Sequence, residues 1–203
     1  MKLPRIYPIT NIEISTFSHV EQVEQLISGG AKLIQLRDKK SSSAEFYEQA
    51  KLAVNVANKH NVTLLINDRV DIALAVEADG VHLGQNDLSP IYARKLLGES
   101  AIIGYSTHTI SQAIAATKLP INYIAIGPVF ATSTKENPDE IVGLDGLKKV
   151  REAIGDFPLV AIGGITLENA AEVLQFADSV AVIGAILKNS KGITATTSEF
   201  TNL

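Results

Sequence analysis

Thr63-Leu64-Leu65-Ile66-Asn67-Asp68-Arg69, followed after a short helical stretch by Gly80-Val81-His82-Leu83-Gly84-Gln85-Asn86-Asp87, decides the fold. Each begins as a continuously apolar run of strand length and ends abruptly in amides and carboxylates. Strands apolar on both faces are those of a parallel sheet covered by helices on both sides. Between the two runs, Asp71 to Val76 reads as a short helix, which completes one strand–helix–strand unit.

The same unit recurs in both directions. Upstream, Ile6 to Thr10 and Leu33-Ile34-Gln35-Leu36 are strands, the second followed by Arg37-Asp38-Lys39-Lys40. Val20, Val23, Leu26 and Ile27 fall at helical spacing between them. Ser42 and Glu45 have capping-box spacing ahead of a helix whose buried stripe is Phe46, Ala50, Ala53, Val54 and Ala57. Downstream, Ser89-Pro90 opens a helix that Gly98 closes, and Ala101 to Gly104 is a fifth strand ending at Tyr105-Ser106-Thr107-His108. Tyr123 to Ile126, Leu159 to Ile162 and Ser179 to Ile183 are three more, with helices over Ser111 to Ala116, Leu144 to Ile154 and after Thr166. From Lys188 to Leu203 the chain reads as a polar tail with at most a short helix. Eight strands alternating with seven or eight helices, with no linker between them, point to one (β/α)8 barrel over residues 1–203. An open doubly wound sheet is the competing topology, weakened by the lack of a Gly-x-Gly-x-x-Gly after the first strand.

Composition narrows the class. With 203 residues, 46% hydrophobic and 20% charged, the chain is long enough for a sizeable core. It has no cysteine, which removes disulfides and thiolate chemistry and suits the cytoplasm. A net charge of −4 disfavours nucleic acid as a partner, and no apolar run is long enough to span a membrane.

In a barrel, chemistry sits after the C-terminal ends of the strands, and these ends are polar in a pattern. Gln35, Arg37 and Lys39 alternate, so a strand that runs on would aim all three one way, as a phosphate clamp; a solvated charged edge is the alternative. Asp68 and Asp87, on adjacent strands with Asn67 and Gln85 beside them, suit Mg²⁺. They could instead be helix N-caps, and Asp68 could pair with Arg69. Gly127-Pro128-Val129-Phe130-Ala131-Thr132-Ser133-Thr134-Lys135 places hydroxyls and a cation where a phosphate or pyrophosphate would fit, or simply in solvent. Gly163-Gly164 and Gly184 let backbone N–H groups approach an anion, or are plain turn glycines. His82 reads as a hydrogen-bonded core or rim histidine, and His108 as a residue shaping its loop.

These stretches, with Gly30-Ala31 through Lys39, Gly104 to Thr109 and Ala161 to Ile165, resemble the thiamin phosphate synthase family along most of the chain. The resemblance implies a (β/α)8 barrel that joins 4-amino-5-hydroxymethyl-2-methylpyrimidine diphosphate to 4-methyl-5-(2-hydroxyethyl)thiazole phosphate. It implies Mg²⁺ on Asp68 and Asp87. It places the pyrimidine diphosphate on Gln35, Leu36, Arg37, Asp38, Lys39, Asn67, Ser106 and Lys135. It places the thiazole phosphate on Thr132, Ser133, Thr134, Gly164, Ile183 and Gly184. It assigns catalytic work to Arg37, Lys39, Ser106 and Lys135. Asn86, Asn11 and Gly184 depart from the family's usual acid, Asp and Ser. A thiazole tautomerase of the same barrel type, or a silent thiazole-phosphate-binding regulator, are the rival readings; neither needs a diphosphate clamp.

Overall fold

The computed structural model describes residues 2–132 and 140–203. Strands β1 (Ile6–Pro8), β2 (Leu33–Leu36), β3 (Thr63–Asn67), β4 (Gly80–Leu83), β5 (Ile102–Thr107), β6 (Tyr123–Ile126), β7 (Leu159–Ile162) and β8 (Ser179–Val182) form one sheet, and every pair is parallel. Its order, β1-β8-β7-β6-β5-β4-β3-β2, curls the two edge strands toward each other. They meet through a bridge between Ile9 and Gln35 and a 2.9 Å bond from Thr10 N–H to the Gln35 carbonyl. The barrel expectation holds.

The helices α1 (His19–Ser28), α2 (Ser43–Lys59), α3 (Val70–Ala75), α4 (Pro90–Leu97), α5 (Ile110–Ala116), α6 (Gly143–Ile154), α7 (Leu167–Val173), α8 (Gly184–Leu187) and α9 (Ile193–Thr201) follow in order. None is long and apolar enough to cross a membrane. Capping boxes at Ser18/Glu21 and Ser42/Glu45 start α1 and α2, each satisfying two otherwise orphaned donors.

Side-chain alternation sorts the apolar residues into two cores. Residues such as Ile34, Leu36, Ile66, Val81 and Ile124 face outward and pack under the helices. Leu33, Leu65, Tyr7, Tyr123, Ala125, Val160 and Ala181 fill the barrel. At the N-terminal end a repeated device ties strands in pairs. Asp79, Asn122 and Asp178, each just ahead of an even-numbered strand, accept from the backbone N–H of Leu64, Ile103 and Leu159 on the strand before, at 2.7–2.8 Å.

Two expectations need correction. Strand β5 runs on to Thr107, because Tyr105, Ser106 and Thr107 stay in register with Ile124, Ala125 and Ile126, so Ser106 is a strand residue and not a loop residue. The tail is not a solvated appendage: α9 buries Ile193, Thr196, Thr197 and Phe200. Its threonines look polar by composition, yet the Thr196 and Thr197 hydroxyls donate to the carbonyls one turn back, at 2.9 and 2.7 Å, leaving methyl groups for packing. Thr194 and Thr201 donate to Gln25 O and Gly29 O, which fastens α9 to α1.

Candidate active site

The C-terminal ends of β2, β3 and β4 converge. Lys39, in the loop after β2, forms an ion pair with Asp68, in the turn after β3. Asp68 adopts a left-handed backbone conformation, φ 60°, one that Asp tolerates better than most residues. Its N–H donates to the His82 carbonyl at 2.8 Å, which ties this turn to β4. Asp87 accepts from Gly84 N–H at 2.6 Å. Burial, then the neighbouring Asp68, push the Asp87 carboxyl above its ordinary range, so the two acids share one environment.

Neither acid caps a helix. The N-cap positions of α3 and α4 belong to Arg69 and Ser89. Arg69 does not pair with Asp68 but grips Asp71 through two nitrogens, at 2.8 and 2.5 Å. The N-cap and Arg69-pairing readings of these acids are therefore not the arrangement seen. The amide nitrogen of Asn67, buried at the end of β3, has no protein acceptor among the described residues.

Behind Lys39, the β2–α2 loop is held in place by a chain of bonds. Arg37 N–H donates to the Thr10 hydroxyl at 3.1 Å, and Thr10 bonds His19 Nδ1 at 2.9 Å. His19 Nε2 donates to Asp38 at 3.1 Å. Burial lowers the affinity of His19 for a second proton, so it is neutral, with Nδ1 the acceptor. Asp38 also accepts from Lys40 and Ser41 N–H at 2.8 and 2.9 Å. Burial raises its pKa, but the Ser41 and Lys40 amides, the Ser41 hydroxyl and His19 outweigh that and hold it at about 2. The Asp38 side chain is only 2% exposed, so it braces the loop and is not presented to a substrate. Leu36 likewise points into the outer core. The resemblance included both residues; the structure shows that both side chains are buried.

Asp38 therefore carries an acid-stability signature. Its pKa is depressed from 3.8, so its contribution is complete above about pH 4 and lost as pH falls toward 2. Asp38→Asn should remove about 2 kcal/mol at neutral pH and flatten the decline across that window. Urea midpoints measured from pH 2 to 7 check this; an unchanged slope in the variant would show that Asp38 does not set it.

On the far side, His82 Nε2 lies 2.8 Å from the Ser106 hydroxyl, and Gln85 donates to the Ser106 carbonyl at 2.5 Å. His108 Nδ1 donates to the Gly127 carbonyl at 2.7 Å, which supports the loop-shaping reading. The Gly127–Pro128 peptide is cis. Gly163 and Gly164 have φ of 104° and 64°, and a Cβ on Gly164 would lie 2.5 Å from Ala131 O. Thr132 ends the described part of the loop after β6, whereas Ser133, Thr134 and Lys135 lie outside the described residues. Ile183 occupies the N-cap position of α8, and Gly184 is that helix's first residue.

Residues 6–186 match the thiamine monophosphate synthase family. The chain belongs to that family. A thiamine-phosphate synthase of Clostridium novyi is 49% identical over 187 residues, 91% of either chain. One from Koribacter versatilis is 45% identical over 92% of this chain and 90% of its own. The solved thiamine phosphate pyrophosphorylase of Pyrococcus furiosus superposes with a TM-score of 0.87 at 35% identity, over 98% of this chain and 94% of that one. The protein is thus an enzyme of thiamin phosphate formation, as its motifs led us to expect. Among the residues hydrogen-bonded to those just described, sequence reading did not single out Tyr7, Thr10, His19 or Tyr123. Only the inward parity of Tyr7 and Tyr123 along their strands could have flagged any of them.

Proposed function

We propose that the protein condenses 4-amino-5-hydroxymethyl-2-methylpyrimidine diphosphate with 4-methyl-5-(2-hydroxyethyl)thiazole phosphate, releasing pyrophosphate, with Mg²⁺ held by Asp68 and Asp87. The observation that carries this reading is the meeting of Lys39, Asp68 and Asp87 from three successive strands. The donor set fits the metal. Mg²⁺ takes one or two carboxylates and fills its remaining positions with water and substrate phosphate, so no third acid is required. Two crowded acids, one of them reluctant to ionise, are what a divalent cation relieves.

When bound, Mg²⁺ supplies Lewis-acid stabilisation of the charge that builds on the departing diphosphate. The chain's own residues do the rest. Arg37 and Lys39 face the same oxygens as fixed cations, with Lys135 assigned to them by the family pattern. Asn67, whose amide nitrogen lacks a protein acceptor, donates to a diphosphate oxygen. The pyrimidine amino group pushes electrons toward the leaving bond, and the thiazole nitrogen captures the carbon released. Thr132, Ser133, Thr134, Gly164, Ile183 and Gly184 hold the thiazole phosphate so that nitrogen and carbon meet at about 3–3.5 Å. A cytoplasmic setting goes with this reading.

Mixing the purified protein with both substrates and Mg²⁺, then oxidising the product to its fluorescent form, tests the proposal. Thiamin phosphate should accumulate, and chelation should stop it. Turnover undiminished by chelation would remove the metal. No product at any Mg²⁺ concentration would favour the tautomerase or regulator reading.

A further inference from the structure

The barrel interior carries a polar chain unlike its apolar surroundings. Gln35 Nε2 donates to the Tyr7 hydroxyl at 2.9 Å. The Tyr7 and Tyr123 hydroxyls are 2.8 Å apart, Tyr123 lies 2.9 Å from His82 Nδ1, and His82 Nε2 lies 2.8 Å from Ser106 Oγ. The rings are packed in place: Tyr7 meets Tyr123 edge-on, and His82 stacks on Tyr123. Tyr7 and Tyr123 are at most 1% exposed and His82 8%. Gln35 and Ser106, at the two ends, are both residues that the family resemblance puts on the pyrimidine diphosphate.

A buried chain of single-proton groups can run in only one direction at a time. Each hydroxyl has one proton, and neutral imidazole has one donor and one acceptor. Tyr7 accepts from Gln35, so its own proton goes to Tyr123. The Tyr123 proton then goes to His82 Nδ1. His82 carries its proton on Nε2 and donates it to Ser106 Oγ. The Ser106 proton is left over at one end, and the Gln35 carbonyl oxygen at the other.

We propose that Tyr7, Tyr123 and His82 are positioning residues that fix this direction, so that Gln35 presents an acceptor and Ser106 a donor to the substrate ring. That pair is complementary to a 4-aminopyrimidine, whose edge offers an amino donor and a ring-nitrogen acceptor. It is mismatched to the 4-oxo analogue, which offers the reverse. The chain is thereby a specificity device for amino over oxo rings. This rests on the function proposed above, and the test separates the two.

Histidine tautomers are read by ¹⁵N NMR of the substrate-free full chain at neutral pH, with the His82 signal identified by its loss in His82→Gln. The expected result is a proton on Nε2 and a bare Nδ1; a proton on Nδ1 means that the chain runs the other way and overturns the proposal. Kinetics give the second readout. Tyr123→Phe and Tyr7→Phe keep the rings and remove the link. Each should raise KM for the pyrimidine diphosphate about tenfold, leave KM for the thiazole phosphate within about twofold, and cut the preference for amino over oxo inhibitors about tenfold or more. Equal changes in both KM values, or an unaltered inhibitor preference, overturn the proposal. Should Tyr123→Phe fail to fold, Tyr7→Phe carries the kinetic test. A wild type inactive with both substrates would sink the function reading, and the tautomer would still decide the chain.

Discussion

Asp87→Ala and Asp68→Ala should each lower Mg²⁺-dependent turnover about 10²–10³-fold while the protein stays folded. The two acids sit together after neighbouring strands and neither holds a helix end, so their loss costs the scaffold only the Gly84 N–H bond to Asp87 and some ease in the left-handed turn at Asp68. Removing Asp87 takes away a carboxyl that burial and Asp68 hold above its ordinary range. At neutral pH this offsets the lost Gly84 N–H bond, because a raised carboxyl pKa means that stability falls as pH climbs through it. Asp68→Ala is different: it strands Lys39, which is half-exposed and can turn to solvent at little cost. Circular dichroism and Mg²⁺ titration alongside the rate assay separate metal loss from misfolding. Wild-type rates in both variants would discard the metal assignment.

Gly104→Ala should be severely damaging for a change of a single methyl group. A Cβ on Gly104 would lie 2.0 Å from Tyr123 Cζ and 2.3 Å from its hydroxyl. The strand beneath is paired on both sides, to β4 and β6, so the backbone cannot retreat. The ring must leave its slot, giving up its contact with Tyr7, its stacking on His82 and both hydroxyl bonds. Overpacking of this kind costs about 3 kcal/mol, which lowers Tm by about 6–12 °C for a chain of this size. Activity should fall further than stability, since Ser106 and Gln35 lose their common support. Calorimetry decides the first point: a Tm within about 2 °C of wild type would mean that the ring steps aside freely.

The strands and their parallel order were legible because an apolar run ending in polar residues is a local signal, repeated from Ile6 to Val182. The helix starts at Ser18, Ser42 and Thr166 follow from backbone chemistry that a short window of sequence contains. The polar strand ends were legible as a pattern, but not that Leu36 and Asp38, which entered through family resemblance, have buried side chains. What could not be read was long-range pairing. His19 finds Asp38 across 19 positions, and Tyr7 finds Tyr123 across 116. Nothing near either residue in the chain announces its partner. Helix α9 was hidden for another reason: hydropathy counts a threonine as polar even where its hydroxyl is satisfied within its own helix.

Gln35 has a double attachment to β1. Its main chain closes the cylinder against Ile9 and Thr10, and its side chain anchors Tyr7. The seam of the barrel and the support of its buried tyrosine pair thus meet in one residue. Because the seam uses only backbone atoms, a side-chain change at Gln35 would free Tyr7 while leaving the barrel closed.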